Sequence, residues 1–220
     1  VPATSSDQST AYATAATNTA DIDRDAYLFG IRVGKTFKNA RFSPTITLWY
    51  DNKSGQDDDD VNSNDYGAFH TVLDTGHKFY GLLDNYLSDI GDDTQRYGLE
   101  DIAIKAKFII NDKNVFKIDW HQFLTQTDLE GTDSDTIRAA GGGAFAAGAN
   151  NTGALGNDLG QEIDLTLVHK YDANTKIVTG YSHYFTTVTH SLLNGSGGGD
   201  NGVDQNDDQD WFYVMIDTTF

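Results

Sequence analysis

The stretch Ile102-Ala103-Ile104-Lys105-Ala106-Lys107-Phe108-Ile109-Ile110-Asn111-Asp112-Lys113-Asn114-Val115-Phe116-Lys117-Ile118-Asp119-Trp120-His121 decides the fold. Before the turn Asn111-Asp112-Lys113-Asn114, Ile102, Ile104, Ala106, Phe108 and Ile110 share one face, while Asp101, Lys105 and Lys107 share the other. After it, Phe116, Ile118 and Trp120 oppose Lys117, Asp119 and His121. Side chains that alternate with period two belong to a strand with one apolar and one polar face.

The same pattern extends in both directions. Seven strands are predicted, over 26–37, 41–50, 98–110, 115–125, 161–171, 176–187 and 210–220. The first sets Tyr27, Phe29, Ile31 and Val33 against Gly30, Arg32, Gly34 and Thr36. In the second, Phe42, Pro44, Ile46, Leu48 and Tyr50 share a face, and Pro44 argues for a place near a strand end. The fifth opposes Ile163, Leu165 and Leu167 to Glu162, Asp164, Thr166 and Lys170. The sixth is ambiguous, because His183 falls on its apolar face. The seventh turns Phe212, Val214, Ile216 and Phe220 outward and Tyr213 and Asp217 inward.

Short turns at Lys38-Asn39-Ala40, Asn111–Asn114 and Asp172-Ala173-Asn174-Thr175 alternate with long loops over 51–94, 126–160 and 189–208. A soluble β-sandwich also alternates. Long strands, a very long connection at every second link and aromatics at strand ends favour an all-β, transmembrane antiparallel β-barrel of the bacterial outer membrane. Outer-membrane lipid and lipopolysaccharide are the expected surroundings. Residues 1–25 read as a mobile extracellular loop or tail, and 26–220 as the C-terminal part of the barrel.

Composition agrees. The chain has 220 residues, a net charge of -18, 22 Gly, 2 Pro and no Cys. Its mean hydropathy is -0.47, and no apolar run reaches the length of a spanning helix. Barrel strands escape that test, since only alternate residues meet lipid. The acidic balance argues against nucleic acid. Most of the 33 Asp and Glu fall in the long loops, densest at Asp57-Asp58-Asp59-Asp60. That run reads as a solvated surface or as a divalent-cation contact beside lipopolysaccharide phosphates.

Seven is odd, and bacterial single-chain barrels close with an even number of strands. With Phe220 at the periplasm, residues 1–25 fall outside, so an odd number of strands is expected to precede Val1. Those N-terminal strands of the same barrel are a required partner.

The polar faces supply candidate lumen-lining and selectivity residues: Arg32, Lys105, Lys107, Lys117, Asp119, His121, Glu162, Asp164 and Lys170. Lys117, Asp119 and His121 form a ladder with about 7 Å between neighbours, which suits either a pore wall or an ion-pair network holding the barrel's shape. No catalytic residue is assigned: no Gly-x-Ser-x-Gly motif occurs, and His121 with Asp119 lacks a third partner. His70, His77, His121, His169, His183 and His190 show no metal-ligand spacing, so neither a metal nor a cofactor is expected. Phe79, Leu82, Leu83, Tyr86, Leu87 and Ile90 recur at helical spacing in the first long loop. An amphipathic turn there must bury that face on the rim, in the lumen or on a partner. The inward option makes His77, Phe79, Tyr80, Leu83 and Tyr86 a constriction loop.

Several blocks resemble the C-terminal half of the alginate-export family of outer-membrane porins. They are Leu48-Trp49-Tyr50-Asp51, Thr75-Gly76-His77-Lys78-Phe79-Tyr80-Gly81, Lys117-Ile118-Asp119-Trp120-His121, Gly160-Gln161-Glu162-Ile163-Asp164-Leu165, Gly180-Tyr181-Ser182-His183-Tyr184-Phe185 and Asp210-Trp211-Phe212-Tyr213-Val214. The resemblance implies an eighteen-stranded barrel, of which eleven strands would lie outside this chain. It also implies outward passage of an anionic polysaccharide through a basic lumen. The inward faces here hold Arg32, Lys105, Lys107, Lys117 and Lys170 against Asp101, Asp119, Glu162, Asp164 and Asp217, a balance of charge. The function expected is a porin or channel for polar or charged solutes, saccharides included. The alternative is a barrel that docks another surface component through its acidic loops.

Overall fold

The hairpin at Asn111 forms as its sequence requires. In the computed structural model, Asn111 Oδ1 accepts the amides of Lys113 at 3.0 Å and Asn114 at 2.9 Å. Asp172 Oδ1 caps the next turn in the same way, accepting from Asn174 and Thr175 at 2.8 Å each. These are side-chain substitutes for a backbone turn. The bond from the Asn174 amide, joined by that from Thr175, holds the exposed Asp172 carboxyl below its ordinary pKa.

The structure describes residues 23–56, 65–69, 79–86, 94, 97–127, 156–187, 189–190 and 208–219. Among the described residues there are nine strands: β1 (Asp23–Arg24), β2 (Leu28–Thr36), β3 (Thr45–Lys53), β4 (Asp65–Tyr66), β5 (Leu99–Ile109), β6 (Asn114–Leu124), β7 (Asp158–Lys170), β8 (Thr175–Thr186) and β9 (Gln209–Thr218). Seven of them form one antiparallel sheet in the order β2-β3-β5-β6-β7-β8-β9, and β1 with β4 makes a short parallel pair. The long strands therefore form a meander in which β2 and β9 are edges. The short turns gather at one end of the sheet and the long connections at the other.

The seven expected strands correspond to these seven, with shifted ends. The second begins at Thr45 rather than 41. Phe42 and Ser43 adopt φ of 65° and 40°, so Phe42 and Pro44 belong to a turn and not to a strand face. Their carbonyls accept Ile109 N and Phe37 N at 2.8 Å each. The same strand runs on through Asp51, Asn52 and Lys53, which the sequence suggested were loop. β7 starts at Asp158, three residues before the expected 161. A register irregularity at Phe123/Leu124 faces Gly160, whose φ of 121° suits glycine.

The two faces differ in kind. Val33, Leu48, Ile104 and Ile216 are 63%, 55%, 45% and 69% exposed, whereas Asp101, His121 and Glu162 on the opposite face are 0% exposed. The apolar face lies open, and the loop-side half of the charged face is covered.

Candidate functional site: the polar face and the segment packed on it

Register fixes which side chains meet. Ala103 pairs with His121, His121 with Glu162, and Glu162 with Tyr184. Asp101 pairs with Phe123, Asp119 with Asp164, and Asp164 with Ser182. Cross-strand partners share a face, so these groups form a continuous polar wall.

In the loop-side half, His121 sits between two carboxylates. Its Nδ1 is 2.8 Å from Asp101 Oδ1, and its Nε2 is 3.9 Å from Asp164 Oδ2. Ser182 donates to Asp164 at 2.5 Å. His121 also stacks on Phe123, with ring centres 5.4 Å apart. Glu162 Oε1 accepts two backbone amides, from Leu82 at 2.7 Å and Leu83 at 2.9 Å. One wall carboxylate thus clamps the 79–86 segment. Gly81 lies so close to that carboxylate that a Cβ there would overlap it.

The 79–86 segment is not helical. Tyr80, Gly81 and Asp84 have φ of 59°, 84° and 58°, which breaks any helical turn. The apolar spacing at Phe79, Leu82, Leu83 and Tyr86 instead reflects packing of an irregular loop. Tyr80 and Tyr86 are buried in one cluster with Tyr97, Leu99, Phe123, Leu159 and Tyr184, and Phe79 and Leu83 pack against it. Phe79 lies 5.9 Å from Trp49, and Lys53 Nζ sits 4.6 Å over the Tyr80 ring. Burial, assisted by Asp51 and Asp101, pushes the Tyr80 hydroxyl pKa up. His77, Leu87 and Ile90 lie outside the described residues.

On β2 and β3, Arg32 pairs with Asp51 at 2.7 Å and covers the Trp49 ring at 3.8 Å. Trp49 Nε1 donates to Asp51 at 3.0 Å. Lys105 lies 4.9 Å from the Trp49 ring centre and 3.7 Å from Asp119. Lys107 and Lys117 are exposed cross-strand neighbours. At the turn end Lys170 faces Lys176, and Lys176 pairs with Asp217 at 2.7 Å. Between these two lysine levels runs an apolar row on the same face: Ile109, Val115, Val168, Val178 and Met215, each opposite the next.

The nine lumen candidates therefore separate into three groups. His121, Glu162 and Asp164 are buried under the 79–86 segment or against each other. Arg32, Lys107, Lys117 and Lys170 are exposed, while Lys105 and Asp119 are half-buried. The charge balance read from the sequence does not survive burial: Asp51, Asp101, Glu162 and Asp164 are all under 9% exposed, so the accessible charges are mostly cations. Sequence reasoning missed Asp51 and Lys53, which looked like loop, and His190, whose Nδ1 lies 2.7 Å from Tyr86 Oη and 3.2 Å from Tyr184 Oη. Among the described residues, no group of three or more His, Asp or Glu side chains could hold a metal ion. His183 lies on the apolar face at its loop end, held by Asp210 at 2.9 Å.

The arrangement defines a class: an antiparallel meander with a bare apolar face, a charged opposite face and its own connection packed on that face. The alginate export family matches residues 7–187, and the chain belongs to it. This is an outer-membrane transport family of export channels, not a family of enzymes. No curated protein matches the chain.

Proposed function

We propose that the sheet is part of the wall of a larger barrel in the bacterial outer membrane, with lipid on its apolar face and a water-filled passage along its polar face. β2 and β9 each have one partner, so closure needs further strands of the same barrel. The passage carries polar solutes and favours anions, oligosaccharide acids included. One observation supports this most: Asp51, Asp101, Glu162 and Asp164 on the polar face are buried, while Arg32, Lys107, Lys117 and Lys170 remain exposed. The segment with Phe79, Tyr80, Leu83 and Tyr86 narrows the loop-side half. Lipopolysaccharide surrounds the loop end of the apolar face, where Tyr50, Asn52 and Glu100 form a polar cluster.

Planar-bilayer recording of the full-length protein tests the proposal. Steady current with anion preference is expected, and Lys105, Lys107 and Lys117 changed together to Glu should reverse that preference. Unchanged selectivity would remove these lysines from the passage. A sealed barrel that co-purifies with a surface protein would favour the docking alternative, in which the acidic loops bind a partner.

A further inference from the structure

Solute passage along the exposed cations makes no use of two aromatic rings on β9. Trp211 pairs across the ladder with Ser182, and Tyr213 with Gly180. Ser182 in turn faces Asp164, and Gly180 faces Thr166, so both rings stand on the polar face. Other rings on that face are spoken for: Arg32 covers Trp49, and Phe123 and Tyr184 are fully buried. Trp211 and Tyr213 are partly exposed.

The Tyr213 ring is mounted on the wall. Gly180 has no side chain, and a Cβ there would overlap Cε1 and Cζ of Tyr213. The ring therefore lies across β8. Its hydroxyl hydrogen-bonds with that of Thr166 on β7. One side chain thus reaches from β9 over β8 to β7 and is held at both ends. Trp211 lies against this ring, with centres 4.7 Å apart and planes at 29°. Offset stacking of this kind fixes the indole as well. The sheet backbone takes one side of the pair, so its exposed surface faces the polar side of the sheet.

A solute that stacks on such a surface needs a flat face of C–H bonds, which the negative π face attracts, and a polar rim that stays in water. A planar aromatic solute is held best in a slot between two rings, and here the two rings touch each other. A pyranose ring has the required form, with C–H bonds on its faces and hydroxyls around its edge. We propose that Trp211, mounted on Tyr213, is a stacking platform for the apolar face of an uncharged pyranose ring, so that this wall selects sugar rings by shape as well as solutes by charge. Trp211 makes the contact and Tyr213 positions it. That the platform lies on a solute's path rests on the channel reading; binding of the sugar does not.

Two measurements on the full-length protein separate these claims, both with cellotetraose as the probe: saturation-transfer NMR in micelles, which reads binding at the ring C–H protons, and block of the current in planar bilayers. The wild type should bind the sugar and show block, while polyethylene glycol of equal mass should do neither. Trp211→Leu keeps an apolar side chain without a flat face and should weaken binding about fivefold. Tyr213→Leu should weaken it to a similar degree. Trp211→Phe and Tyr213→Phe keep a ring and should retain most of it, which a loss of fold would not allow. No binding by the wild type, or equal binding by Trp211→Leu, overturns the platform and leaves the pair as packing around Gly180. Binding of adenosine in place of cellotetraose also overturns it. Sugar binding without current at any voltage leaves the platform standing and removes the channel. Anion-selective current without sugar binding does the reverse.

Discussion

Glu162→Ala tests the clamp on the 79–86 segment, because its local effect should exceed its global one. The Glu162 side chain takes two amides on one oxygen, Leu82 at 2.7 Å and Leu83 at 2.9 Å. A hydrogen bond contributes about 1 kcal/mol net. Alanine removes the accepting oxygen, so the segment opens at a cost lower by about 2 kcal/mol, a rise of roughly thirtyfold in the exchange of those two amides. Meanwhile the substitution relieves the crowding of two buried acid groups, Glu162 and Asp164. Global stability should therefore fall by no more than about 1 kcal/mol. Native-state hydrogen exchange reads the first effect and denaturant unfolding in micelles the second. Unchanged amide protection, or a global loss larger than the local one, would refute the clamp.

Two further outcomes follow from the sheet. The Tyr213 ring lies over Gly180, where an added Cβ would overlap it; Gly180→Ala should therefore cost about 1–3 kcal/mol in unfolding midpoints, and little in a Tyr213→Ala background. At the exposed turn, the Asp172 carboxyl is held low by the Asn174 and Thr175 amides. A group with a depressed folded pKa stabilises above its ordinary value and loses that contribution as pH falls through the folded one. Carboxyl NMR should place the Asp172 midpoint below that of a peptide aspartate, and a midpoint at or above it would contradict the turn geometry.

The strands were legible because period two survives any tertiary context that wets one face and not the other. Ile102 to Ile110 and Phe116 to Trp120 fell on the face the sequence assigned them. The failures have separate physical causes. Asp51, Asn52 and Lys53 read as loop because polar residues carry weak strand preference, yet cross-strand bonding to Leu99, Glu100 and Asp101 carries the strand through them. Phe42 and Pro44 alternate correctly by accident of spacing, while left-handed backbone at Phe42 and Ser43 makes them a turn. The stripe from Phe79 to Tyr86 looked helical because packing against a wall also selects apolar positions. Positive φ at Tyr80, Gly81 and Asp84 leaves no helix to produce it. His190 could not have been found by spacing at all, since its partner Tyr86 is 104 residues away.

The net charge of -18 is a property of the chain, and the charge a solute meets is a property of one surface. On the polar face the two differ for an energetic reason. A short carboxylate can be buried if donors reach it, and each one here has them: Arg32 and Trp49 at Asp51, His121 at Asp101, Ser182 at Asp164, and two amides at Glu162. A lysine is harder to bury, because its ammonium needs several acceptors and its long stem can carry it back to water. Packing the 79–86 segment onto this wall therefore removes acids preferentially and leaves Lys107, Lys117 and Lys170 exposed. An acidic sequence can in this way present a basic wall. Releasing the segment would uncover Asp101, Glu162 and Asp164 together. The anion preference proposed for the passage should accordingly weaken in any variant that loosens the segment, and unchanged selectivity in such a variant would separate the segment from the passage.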